Sequence, residues 1–188
     1  MFNARPGRSG RRPSLCAAML VLLLGPALAA ALEEDRAKPI RITADQALRD
    51  EKQGFTVYEG NVEMDQGSLH IEADKIIIFH KTDQADRIVA EGAPAKMQQQ
   101  PEPDKGLVYA EAKVIEYLRK EERVLLRQNA RIEQDGSTVT GDSIDYLIGE
   151  QLVRAQSGPE RDGERVQVVI PPERIEQDSG DRGETDSE

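Results

Sequence analysis

The sequence predicts an all-β chain, and three observations carry that reading. Apolar and polar residues alternate in short runs, turn formers separate the runs, and the helical period is almost absent. Ile40 and Ile42 flank Arg41 after Pro39. Phe55 and Val57 precede Gly60, and Val62 and Met64 then alternate with Asn61, Glu63 and Asp65. Leu69, Ile71 and Ala73 alternate with His70, Glu72 and Asp74. Ala93/Ala95/Met97, Val124/Leu126, Ala130/Ile132, Ile144/Tyr146 and Val166/Val168/Ile170 continue the pattern. Glu59-Gly60-Asn61, Gln66-Gly67, Asp135-Gly136, Ile148-Gly149 and Ser157-Gly158-Pro159 supply the turns. Only the stretch 110–122 has helix-forming composition, and its Val114, Ile115 and Tyr117 suit a strand equally well. The expectation is a dozen or more short strands.

The first 31 of the 188 residues stand apart. They hold Arg5, Arg8, Arg11 and Arg12, no acid, the apolar run from Leu15 to Leu24, and small-residue exits at Ala27-Leu28-Ala29 and Ala29-Ala30-Ala31. A basic head, a short greasy middle and an A-x-A exit read as a secretory signal peptide, and the run is too short to remain as a membrane span. Cys16 lies at the start of that run, so it does not read as a lipid-attachment site. The whole chain has a formal net charge of −10, and losing four arginines with the leader leaves −14. Such acidity argues against nucleic acid as a partner. With Cys16 removed, no thiol remains for a disulfide or a thiolate-bound metal. One exported domain is expected from 32 to 172. From Glu173 to Glu188 seven acids and two arginines predict a disordered acidic tail.

The runs also repeat. The segment from Gly60 to Ser68 lines up with Gln128 to Ser137, with one extra residue in the second turn, and Ala73-Asp74-Lys75-Ile76 meets Gly141-Asp142-Ser143-Ile144. A weaker copy matches Lys75–Phe79 to Lys113–Tyr117. Units of this length stack into an elongated array that buries each apolar face on its neighbour; a sandwich with accidental similarity is the alternative. The stretch Gln98 to Gly106, with Pro101 and Pro103, reads as an exposed loop between units.

Chemistry finds little footing. His70 and His80 are the only histidines, ten residues apart, and suit neither a metal pair nor a triad, so both are expected to face solvent. No phosphate-binding glycine loop is present, and no metal or other cofactor is predicted. Asp74 and Asp142 recur at equivalent places, which fits either turn aspartates that accept backbone N–H groups or a glycosidase carboxylate pair.

The segments Pro39-Ile40-Arg41-Ile42-Thr43-Ala44-Asp45-Gln46, Tyr58-Glu59-Gly60-Asn61-Val62, Ile71-Glu72-Ala73-Asp74-Lys75 and Gly136 to Tyr146 resemble, in order and spacing, the OstA-like proteins of lipopolysaccharide transport. The resemblance covers about 38–172. It implies a twisted β-jellyroll with a hydrophobic groove along its axis, and a non-enzymatic periplasmic protein that shields the acyl chains of lipid A. It also implies an inner-membrane-anchored partner and the outer-membrane translocon as neighbours. A lipid or polysaccharide chaperone acting alone is the competing reading. The inward-facing candidates are Ile40, Ile42, Phe55, Val57, Val62, Met64, Leu69, Ile71, Ile76, Ile78, Met97, Tyr117, Ile132, Ile144 and Tyr146. Four consecutive apolar residues, Ile76 to Phe79, leave the strand phase open there. Open sheet edges are expected near Ile40 and Ile42 and near Val166, Val168 and Ile170, where strand addition would join partners or copies head to tail.

If the leader is removed as its pattern demands, the exported protein begins between Ala30 and Leu32. Intact-mass measurement of the periplasmic product checks this, and a membrane-bound form retaining Cys16 would refute it.

Overall fold

The computed structural model describes residues 35–81, 84–102, 105–158 and 165–172. The expected signal peptide at 1–31 and the acidic tail from Glu173 lie outside the described residues. Ten strands follow one another among those described: β1 (Arg41–Thr43), β2 (Gln46–Asp50), β3 (Phe55–Gln66), β4 (Leu69–Lys81), β5 (Gln84–Gln99), β6 (Val108–Leu118), β7 (Arg123–Gln134), β8 (Ser137–Leu147), β9 (Leu152–Gln156) and β10 (Gln167–Val169). All belong to one antiparallel sheet. Strands β3 to β8 form a meander in chain order, β1 and β2 share the free edge of β3, and β9 and β10 share that of β8.

The strands are fewer and longer than the sequence predicts, because β3 to β8 run for 11 to 16 residues each. The physical reason is that irregularities in mid-strand interrupt the alternation without ending the pairing. Register shifts lie between Glu59 and Val62, Glu72 and Lys75, Glu91 and Ala95, Glu111 and Val114, and Arg127 and Ala130. They fall side by side on successive strands and form one crease across the sheet. Bulges bend strands and increase their twist. The crease therefore divides the sheet into a half holding β1 and β10 and a half holding β2 and β9, and the short runs seen in the sequence are halves of bent strands.

The repeat is this crease crossed twice. Gly60 and Asn61 in β3, and Gln128 and Asn129 in β7, all have positive φ, at 81°, 44°, 65° and 58°. Only glycine adopts that region freely, and asparagine tolerates it better than most. The hairpin turns are equal in length, contrary to the extra residue expected. Gln66 pairs with Leu69 across Gly67-Ser68, and Gln134 pairs with Ser137 across Asp135-Gly136. Positive φ at Gly67 alone, and at both Asp135 and Gly136, is the demand of tight primed turns.

The segment 110–122 is strand through Leu118, in β6, as the all-β reading has it. One further expectation changes. The loop predicted from Gln98 starts later, since β5 runs through Gln99, which is buried. Gln98 and Gln99 pair with Tyr109 and Val108, so backbone pairing overrides their lack of apolar phase.

The first crossing of the crease is capped by the β1–β2 connection. The Asp45 amide donates to the Gly60 carbonyl at 3.0 Å, and Asn61 Nδ2 donates to Asp45 Oδ2 at 2.9 Å. A methyl group on Gly60 would overlap the Asp45 side chain. Gly60→Ala combines that overlap with a left-handed backbone, so it should destabilise the fold by about 1–3 kcal/mol. Denaturant unfolding of the variant beside the parent chain measures the difference; equal midpoints would show that the crease does not depend on this glycine.

Candidate functional site

The inner surface is a set of apolar rows running across all the strands. In one half, cross-strand pairing links Ile42, Met64, Ile71, Met97, Ala110, Ile132, Val139 and Val168 in succession. In the other half, one row runs Tyr58, Ile76, Ala90, Ile115, Leu126, Ile144 and Ala155, and a second runs Thr56, Ile78, Ile88, Tyr117, Val124, Tyr146 and Val153. The middle of each row is buried, and the two sets form one hydrophobic core. Neighbouring residues face opposite sides of a strand, so the outer face carries the charges. There Lys75 meets Glu59, Arg123 meets Asp145, and Glu116 accepts from both Arg87 and Arg127.

Most of the predicted inward residues lie in this core. Val62, Met64, Leu69, Ile71, Ile76, Ile78, Met97, Tyr117, Ile132, Ile144 and Tyr146 are all buried. Ile40 and Ile42 are half-buried and pack on it from the N-terminal side.

Phe55 and Val57 are corrections. They occupy the opposite phase from buried Thr56, on the outer face. Their shelter comes from neighbours there, since Phe55 lies 6.3 Å from the Phe79 ring and Arg87 stacks on that ring at 3.9 Å. The inward positions of this strand half belong instead to Thr56 and Tyr58, which polar side chains disguise in the sequence. The run Ile76 to Phe79 resolves in the same way, with Ile76 and Ile78 inside and Ile77 and Phe79 outside. Val124, Leu126, Ile88 and Ile115 were also missed as site residues. Adjacent apolar residues, Leu125, Val89 and Val114, mask the phase of all four in the sequence.

Opposite the crease, the rims of the two halves meet along a polar seam. Arg119, which follows β6, donates to the Gln66 side chain at 3.1 Å and to the Ala85 carbonyl at 2.8 Å. Gln66 is buried and donates in turn to the carbonyls of Arg36 and Lys38. Arg36 reaches Glu122 at 2.5 Å. Farther along, Gln151 donates to Glu102 at 2.6 Å. Gln66 and Glu102 belong to one half and Arg119 and Gln151 to the other, so these contacts span the mouth between the half-sheets. Buried Tyr117 lies beside both Arg36 and Arg119. Burial opposes the Arg36 charge, yet the Glu122 hydrogen bond holds its pKa above the ordinary arginine value. For Arg119 burial prevails, pulling its pKa below that value, and the nearby Arg36 charge acts in the same direction. Tyr146, at the other strap, is pushed up by burial and by Glu102.

The remaining polar residues stay apart. Asp74 lines a cleft of about 310 Å³ on the crease, and Asp142 a separate one of about 390 Å³. The two stand on β4 and β8, four strands apart, so they do not form a carboxylate pair. Nor are they hairpin-turn residues; both sit in the bulges. His70 bonds Asp65 at 2.7 Å, which raises its pKa. His80 is half-buried rather than turned to solvent, bonded to the hydroxyl of buried Thr56 at 3.0 Å. The predicted edges are open in the topology. β1 pairs only with β3 and β10 only with β8 among the described strands. Val168 and Ile170 are more than half exposed, and Val166 is half-buried.

Comparison with known proteins yields a consistent set. Residues 41–152 match the family described as "LptA/(LptD N-terminal domain) LPS transport protein". The lipopolysaccharide export system protein LptH of Pseudomonas aeruginosa is 36% identical over 137 residues, 72% of this chain and 78% of that protein. The lipopolysaccharide export system protein LptA of Escherichia coli is 32% identical over 166 residues, 87% of each chain. The crystal structure of LptH, described as the LptA-homologous periplasmic component of the lipopolysaccharide transport device, superposes with a TM-score of 0.68. That match has 33% identity and covers 73% of this chain and 99% of the other.

Proposed function

The chain belongs to the LptA/(LptD N-terminal domain) family of lipopolysaccharide transport proteins, and we propose that it carries lipopolysaccharide across the periplasm with the lipid A acyl chains held between its two half-sheets. One observation carries this reading: a continuous apolar inner face, hinged by backbone along the crease and closed on the other side, among the described residues, by side-chain contacts. In the structure the inner face is shut on itself. Opening it to acyl chains exchanges one hydrocarbon contact for another, so little hydrophobic free energy is lost. Each methylene of the ligand taken from water gains about 0.8 kcal/mol, roughly 8 kcal/mol for a chain of about ten. Sugars and phosphates stay outside the mouth in water.

The role is that of a conduit without chemistry of its own; directed movement draws energy from elsewhere in the transport system. The inner-membrane-anchored component would dock on the β1–β2 edge and the outer-membrane translocon on the β9–β10 edge, each by strand addition. The same two edges would let copies join head to tail. Exposed Val168 ends an inner row, so such joining would continue the apolar surface from one copy to the next.

Ile71→Asp should weaken lipopolysaccharide binding at least about tenfold, because a carboxylate would face the acyl chains unpaired. Glu72→Lys, on the outer face one residue away, should leave binding nearly intact. Co-migration with lipopolysaccharide reads the outcome, with far-UV circular dichroism confirming that both variants keep their β content. Equal binding by two folded variants would remove Ile71 from the groove.

Truncation after Pro172 deletes the acidic tail and should raise the apparent mass at a given concentration, more so at low salt. Truncation after Gly163 deletes β10 and should return the protein to monomer. Light scattering after size exclusion decides this, and three monomeric forms at high concentration would exclude head-to-tail joining.

A further inference from the structure

Resting on the carrier reading above, we propose that Arg36 and Arg119 form a seat for a phosphate group of the bound glycolipid, at the point where its headgroup leaves the groove. Position is the first argument. Both guanidiniums lie on the seam of the mouth and beside Tyr117, whose ring belongs to an inner row. They therefore mark the boundary between hydrocarbon and water, where the phosphates of an amphiphile with buried chains must lie.

Incomplete pairing is the second argument. The Nε atoms of Arg36 and Arg119 are both buried without a hydrogen-bond partner. Arg119 donates only to neutral acceptors, the Ala85 carbonyl and the Gln66 amide oxygen. The Asp86 carboxylate nearby forms an ion pair with Lys120 at 3.0 Å and acts on Arg119 through its charge, without a hydrogen bond to it. Only Arg36 has an anionic partner, Glu122. Of the two neighbouring guanidiniums only one is bonded directly to a carboxylate, and burial and the Arg36 charge destabilise Arg119 by more than Tyr117 and Asp86 offset. A phosphate would relieve both defects, since it accepts from several donors at once and matches the planar fork of arginine.

The charge distribution gives the seat an orientation. The chain carries a formal net charge of −10, or −14 without the leader, which opposes an anionic ligand unless neighbouring cations offset it locally. The second strap of the mouth, Glu102 with Gln151 near Tyr146, joins a carboxylate to an amide with no guanidinium in the contact, whereas the first sets two guanidiniums against Glu122 and the nearby Asp86. The phosphate end of the glycolipid accordingly lies toward Tyr117 and not toward Tyr146.

The test compares lipid A bearing its phosphates with fully dephosphorylated lipid A of the same acyl chains, and adds inorganic phosphate alone. The mature chain should prefer the phosphorylated lipid by about tenfold at low salt, with the preference shrinking as salt rises. Arg119→Gln should collapse the ratio of the two affinities, Arg119→Lys should restore part of it, and Arg127→Gln on the outer face should keep it. A ratio near unity in the parent chain, or an undiminished ratio in Arg119→Gln, would overturn the seat while leaving the carrier reading intact. Binding of neither lipid would overturn both. Inorganic phosphate binding as tightly as the lipid would make this a soluble-anion site and overturn the assignment to a headgroup.

Discussion

Everything in this molecule depends on the crease. A flat meander of six long strands has two faces and no interior, and one apolar face would stand in water. Bending every strand at the same level lets that face fold onto itself. The bend is written in the backbone: register shifts on successive strands, left-handed residues at Gly60, Asn61, Gln128 and Asn129 on β3 and β7, and the Asp45 contacts that cap the first crossing. Because the crease is continuous covalent chain on every strand, it holds the halves together whether or not their far rims touch.

That asymmetry gives the fold its chemistry. On one side the halves are joined by peptide bonds; on the other they meet through Gln66, Arg119, Arg36, Glu122, Glu102 and Gln151. Side-chain hydrogen bonds and half-exposed ion pairs contribute about 1 kcal/mol each. The seam is therefore the side that parts at least cost. A hydrocarbon interior offers no specificity beyond length and area, so on the proposed carrier reading discrimination among amphiphiles would fall to the polar groups along the seam.

The edges of the sheet complete the arrangement. Among the described strands β3 to β8 are each paired on both sides, which leaves open edges at the two ends of the meander. Edges of this kind invite pairing with other chains. Short β1, β2, β9 and β10 divide each edge at the crease, so an incoming strand must follow the bend. A partner sharing the same bent architecture meets that condition, whereas a flat sheet does not.

The sequence by itself determined the all-β class, the strand phase at Val62, Met64, Leu69 and Ile71, and the open edges, because alternation and turn chemistry are local signals. It also carried the repeat, since Gly60-Asn61 and Gln128-Asn129 mark the two strands, β3 and β7, that cross the crease with left-handed backbone. What it could not fix was whether a glycine in mid-run ends a strand or bends it; that depends on whether the neighbouring strand keeps pairing beyond it. Phe55 and Val57 went to the wrong face for a related reason. An apolar residue on an outer face looks like a core residue until its shelter, here Phe79 and Arg87, is brought alongside. The mouth was invisible altogether. Gln66 and Arg119 are 53 residues apart, on opposite halves, and only the folding of the sheet makes them neighbours.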